Sequence, residues 1–154
     1  MKTNRPLPGT RAGFTLLETA IALLILTAVV SVGALSFLHV LPAFRLQGAA
    51  WEVSSQLNEA RLTALLQGVA VRWRVLPPEN GRTGYVIERR DPAEGTWERV
   101  LLRRPPGVIL RANNTPTFYP RGTVSHLSTI FVENTRGFYR ITLAITGRVK
   151  VTKG

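Results

Sequence analysis

The chain has no cysteine, which excludes a disulfide, a thiolate metal site and a cysteine nucleophile. It has only two histidines, His39 at the end of an apolar run and His126 in a loop, too few for a His-rich metal centre. Acids are scarce: nine Asp and Glu stand against twenty Lys and Arg, a formal net charge of +11. Gly-x-Ser-x-Gly, His-Glu-x-x-His and the glycine-rich phosphate loop are all missing, so the common hydrolase and nucleotide-binding arrangements have no footing. Glu79, Glu88, Asp91, Glu94 and Glu98 are interleaved with Arg82, Arg89, Arg90 and Arg99. They read as a solvated hairpin of mixed charge, not as a general acid/base pair. We therefore expect no enzyme, no catalytic residue, no metal and no cofactor. Internal repeats and low-complexity tracts are absent too, and 154 residues leave room for one modest domain beside any anchor.

Charge also vanishes for 19 residues, from Ala20 to Leu38. As a helix these span roughly 28 Å, close to the ~30 Å hydrocarbon core of a bilayer. A cleaved secretory signal fits poorly, because its apolar core is only about 7–15 residues long and ends in a small-residue cleavage site; here Leu41-Pro42-Ala43-Phe44 follows. Just before the run stands an acid, Glu18, in the stretch Gly13-Phe14-Thr15-Leu16-Leu17-Glu18. An acid in a membrane helix is costly and is a functional suspect by default. Cleavage after Gly13 would give Phe14 a free amine able to neutralise Glu18 of a neighbouring copy.

This motif ahead of a long apolar helix resembles the class III signal of type IV pilins and pseudopilins. The resemblance implies that a prepilin peptidase cleaves after Gly13 and methylates Phe14, and that Glu18 guides assembly with other pilin subunits into a filament. It also implies that residues 1–13 are a leader. The leader's Lys2, Arg5 and Arg11 set the orientation N-in and C-out, since cations stay on the cytoplasmic side; their removal brings the side-chain charge from +11 to +8. The expected location is a single pass in the inner membrane, followed by a cell-surface or periplasmic pilus. Many pilins staple a loop with a disulfide; this head has packing alone.

Residues 14–41 form the transmembrane or filament-core helix. Ala20, Thr27, Ser31 and Ala34 make a small-residue face that permits close helix approach. Pro42 should loosen the helix without ending it. Residues 42–68 continue as an amphipathic helix, with Leu46, Ala50, Val53, Leu57, Ala60 and Ala64 recurring every three or four positions until Gly68. From residue 69 the period becomes two. Strands are expected from Val69 to Val75, Gly84 to Arg90, Thr96 to Arg103, Val108 to Leu110, Ser128 to Glu133 and Phe138 to Thr146. A turn is expected at Pro77–Gly81, and little order between Asn113 and Ser125. Trp73 and Trp97 are expected in the core. The fold class is α+β, a long N-terminal helix, membrane-spanning in its first half, packed on an antiparallel β head at 69–154.

From Arg99 to Gly154 there are ten basic residues and one acid, Glu133. If the last strand runs straight through Gly147, Arg140, Arg148 and Lys150 share one solvent face, and Arg136 and Lys153 can join them. Cations with hydroxyls between them suit phosphate contacts that carry no sequence information; a charged edge strand that resists aggregation has the same pattern. Phe118-Tyr119-Pro120-Arg121-Gly122 and Gly147-Arg148-Val149-Lys150 resemble the FimT/GspH group of minor pilins and pseudopilins. Members of that group serve DNA uptake or type II secretion, and DNA-binding members use a Gly-Arg-x-Arg motif. Here Lys150 replaces the second Arg, which keeps the charge and loses the bidentate fork. The resemblance implies a minor pilin that binds DNA non-specifically during natural transformation, or alternatively a structural pseudopilin of a type II secretion system. Four or five phosphate contacts would give a log–log salt slope near −4, and Arg103, Arg104, Arg111 and Arg121 form the next cluster to consider.

Overall fold

The computed structural model of the chain describes residues 13–154, without the side chains of residues 32–36. The rest of the leader, with Lys2, Arg5 and Arg11, and the small residue Ala34 lie outside the described residues. The chain forms two compact units, Met1–His39 and Val40–Gly154.

In the first unit, helix α1 (Leu16–Gln67) begins at a cap. The Thr15 hydroxyl accepts the Glu18 backbone N–H at 3.2 Å, which satisfies one of the orphan donors of the first turn. Leu16, Leu17, Leu23, Leu24 and Val29 are all exposed. The hydroxyls of Thr19, Thr27 and Ser31 donate to backbone carbonyls three or four residues earlier. A polar side chain on an apolar helix is thereby satisfied without water. Among the described residues no helix is long and apolar enough to cross a membrane; five residues of the uncharged run are not among those whose side chains are described.

The second unit carries the rest of α1 and nine strands. Pro42 lies inside the helix, and its carbonyl accepts a hydrogen bond from Asn134 Nδ2 at 2.8 Å. Leu46, Ala49, Ala50, Val53, Leu57, Ala60 and Ala64 are buried, the stripe expected from their spacing with Ala49 added. Four alanines keep the stripe shallow. Gly68 ends the helix with φ of 68°, and its N–H closes on the Ala64 carbonyl at 3.1 Å, a left-handed cap that glycine adopts without steric cost.

The strands form two antiparallel sheets. The first is ordered β3-β2-β1-β5-β6 and the second β4-β7-β8-β9. Their bounds are β1 (Val71–Glu79), β2 (Arg82–Arg90), β3 (Trp97–Arg103), β4 (Ile109–Ala112), β5 (Thr117–Phe118), β6 (Val124–Ser125), β7 (Thr129–Asn134), β8 (Gly137–Leu143) and β9 (Val149–Lys153). Trp73, Tyr85 and Phe118 from the first sheet and Leu110, Ile130, Val132 and Ile141 from the second join the helix stripe in one core.

Four expectations need correction. Pro77 and Pro78 belong to β1, at a register shift between Leu76 and Glu79, where a residue without an N–H is tolerated. The turn itself is Asn80-Gly81, with φ of 52° and 72°, the two-residue type that matches strand twist. The stretch from Asn113 to Ser125 holds β5 and β6, too short to show a period. Trp97 is half-exposed on the edge strand β3, with the Arg72 guanidinium 4.1 Å over its ring, so only Trp73 is core. Finally, Glu88 is buried, not solvated.

Candidate functional site

Two regions carry the residues singled out from sequence. At the start of the first unit, Gly13 and Phe14 precede the helix without regular structure. Phe14 is 80% exposed, and among the described residues nothing crowds Gly13. Glu18 occupies the third helical position. There its backbone is capped by Thr15, and its negative charge favours the positive end of the helix dipole. The sequence pattern Thr15-x-x-Glu18 is that of a capping box, of which the Thr15 half is made here.

The other region is the outer face of the second sheet. β8 does not run on through Gly147. It ends at Leu143, the chain reverses over residues 144–148, and β9 returns beside it. The reversal is held by Gly147 N–H to the Ala144 carbonyl at 2.8 Å and by Ala144 N–H to the Arg148 carbonyl at 3.0 Å, with Gly147 at φ of 77°. A straight strand would have separated Arg140 and Lys150 by about 34 Å. The hairpin instead faces Thr142 with Lys150 and Arg140 with Thr152. Directly opposed residues of an antiparallel pair project from the same side, so Arg140, Lys150 and Arg148 do share a face.

β7 extends the grid, with Thr129 facing Thr142 and Phe131 facing Arg140. Across β4, Arg111 faces Phe131 and Ile109 faces Glu133. Thr129, Phe131, Arg140, Thr142, Arg148 and Lys150 line an open depression of about 750 Å³. The one acid on this face, Glu133, is bound by Arg111 at 2.9 Å. Arg140, Arg148 and Lys150 are exposed, and no acid lies against them among the described residues.

The other two cations singled out are placed apart. Lys153 faces Tyr139, a position on the opposite side of β9 from Lys150. Arg136 lies in the turn between β7 and β8, where its N–H donates to Asn134 Oδ1 at 2.8 Å. That turn is at the far end of the sheet from Arg148. Arg104 pairs with Glu79 and Arg111 with Glu133, while Arg103 and Arg121 stand on β3 and in the turn before β6, so these four make no second cluster.

A further charged group was missed. On the first sheet Glu88 accepts from Arg72 Nε at 2.5 Å and from Arg74 at 3.0 Å. Burial pushes the Glu88 carboxyl up, but the hydrogen bonds from Arg74 and Arg72 outweigh it and hold the group below the usual carboxylate range. Tyr85 donates to Glu52 at 2.8 Å, and burial together with that bond pushes its hydroxyl far above the usual phenol range. Both are structural locks. No cluster of His, Cys, Asp and Glu able to hold a metal occurs among the described residues.

No family model matches the chain, and neither does any curated protein. Solved structures do. The type IV minor pilin FimU of Pseudomonas aeruginosa is 22% identical, with a TM-score of 0.55 over 70% of this chain and 92% of that one. A second crystal form of FimU gives 21% identity and a TM-score of 0.53 over 70% and 87% of the two chains. The minor pseudopilin EpsH of the Vibrio cholerae type 2 secretion system is 14% identical, with a TM-score of 0.56 over 71% and 97%. The chain thus has the fold of a minor pilin and a minor pseudopilin, a long N-terminal helix on antiparallel sheets, as the Gly13–Glu18 motif and the strand pattern led us to expect.

Proposed function

We propose that this chain is a minor type IV pilin-like subunit, not an enzyme, whose head binds DNA non-specifically during DNA uptake. A prepilin peptidase cuts after Gly13 and methylates Phe14. The apolar helix anchors the subunit in the inner membrane, N-in and C-out, until Glu18 and the exposed apolar side chains engage neighbouring subunits in a filament. The single observation that carries the DNA reading is the row of exposed Arg140, Lys150 and Arg148 on one sheet face. Hydroxyls of Thr129, Thr142 and Thr152 line the same depression. Such a face contacts phosphates and reads no bases.

Three cations instead of five lower the expected log–log salt slope for duplex DNA from near −4 to about −3. The test is binding of the full chain, in non-ionic detergent, to duplex DNA across a salt series. Replacing Arg148 and Lys150 together by Gln should weaken binding to all sequences alike and flatten the slope by about 2. A wild-type chain with no salt-sensitive binding at low ionic strength removes the DNA role. The structural pseudopilin reading, supported by a fold match to EpsH as good as that to FimU, then takes its place.

A further inference from the structure

The cationic face carries a feature that duplex DNA has no use for. Phe131 and Phe138 project from it beside the cations, because Phe131 faces Arg140 and Phe138 faces Glu133 across β7 and β8. Their ring centroids are 6.0 Å apart with planes tilted by 57°. Phe131 is half-buried beneath the depression, while Phe138, 40% exposed, stands beyond its edge with its ring over Gly154. The face is therefore graded. Aromatic rings stand at the end near the β7–β8 turn, Arg140 lies one step further along β8, and Lys150 and Arg148 follow toward the β8–β9 turn. Residues two apart on a strand are about 7 Å apart and neighbouring strands about 4.8 Å, so ring and cations all fall within a few nucleotides of one another.

In a duplex the base faces are covered by their neighbours, and an aromatic ring on a flat sheet reaches only backbone and edges. An unpaired strand offers phosphates and a free base face together, which is what stacking platforms on sheets recognise. We infer that this face takes single-stranded nucleic acid in preference to duplex, with one base stacked on Phe138 and the adjoining phosphates on Arg140, Lys150 and Arg148. The inference rests on the phosphate-binding reading of the same face and adds the form of the nucleic acid.

The test compares a fluorescein-labelled mixed-sequence DNA strand of about 16 nucleotides, the upper end of single-domain site sizes, with the same strand annealed to its complement. Full-length chain in non-ionic detergent is titrated against each at about 50 mM salt, where phosphate contacts are strong. The single strand should bind tighter by about fivefold, the lower range for one stacked base. Phe138→Leu should erase that margin while leaving duplex affinity as in the wild type, with the thermal midpoint lowered only by the lost ring contact to Phe131. Phe138→Trp should keep the margin and show tryptophan quenching by the single strand but not by the duplex. Equal binding of both forms by the wild type, or a margin that survives Phe138→Leu, overturns the single-strand inference and leaves the phosphate reading standing. Absence of binding to either form overturns both.

Discussion

Gly147, in the reversal between β8 and β9, lies against the Arg61 side chain of α1. A Cβ on Gly147 would run into the Arg61 Cδ and Nε, and Gly147 itself is buried with φ of 77°. The helix thus packs on the turn that sets the direction of Arg148.

Gly147→Ala therefore faces two costs, left-handed backbone of about 1–2 kcal/mol and displacement of Arg61. The thermal midpoint should fall by roughly 5 °C, and duplex affinity should drop as Arg148 is re-aimed. An unchanged midpoint in a melting experiment would show that the turn is not constrained by the helix.

Glu88 gives the head a pH dependence of known sign. Its folded pKa lies below the ordinary carboxyl value of 4.5, so its contribution is complete above that value and is lost as pH falls through the lower folded pKa. Glu88→Gln should cost about 2 kcal/mol at pH 7, since one charge leaves and Arg72 and Arg74 lose their shared acceptor. The gap between variant and wild type should narrow by pH 3. A gap that stays constant between the two pH values in thermal melts would contradict this assignment.

Leu57 and Leu62 are one and a half turns apart on α1, yet Leu57 is fully buried and Leu62 is 56% exposed. Leu57→Ala should destabilise by about 2–5 kcal/mol through lost burial and the cavity left behind. Leu62→Ala should stay within about 0.5 kcal/mol in the isolated subunit. Urea midpoints of the two variants separate the cases, and comparable losses would mean that the helix face is misassigned.

Processing is checked by intact mass. Protein from a cell with an active prepilin peptidase should lack residues 1–13 and carry a methylated Phe14; recovery of the uncut chain removes the pilin reading. Glu18 needs a subtler variant because it also stands in the capped first turn. Glu18→Gln keeps a side chain suited to that turn and removes the charge. It should leave the head folded and abolish incorporation into filaments, whereas normal incorporation would confine Glu18 to capping.

Some of this was legible in the residues because the causes are local. The Gly13–Glu18 motif, the uncharged run and the spacing from Leu46 to Ala64 concern neighbours within a turn or two of helix, and period alone exposes them. The alternation around Val71 and Trp73 is of the same kind. Even the parity of Arg140, Arg148 and Lys150 was right, although for another reason. The hairpin pairs residues whose numbers have the same parity, as Thr142 with Lys150, so a fold-back and a straight strand give the same face.

What the straight strand could not give is proximity. The three cations lie near one another only because the chain reverses at Gly147, and that reversal uses a left-handed glycine under Arg61, 86 positions earlier. Lys153 and Arg136 drop out because register and turn position, not charge, decide which side of a sheet a residue occupies. Phe131 joins the face through β7, and Glu88 is buried by arginines from β1. Local sequence determined which segments are helix or strand and which side of each is apolar. Pairing between distant strands decided which charges and rings meet, because long-range register is set by the whole core and not by any one segment's pattern.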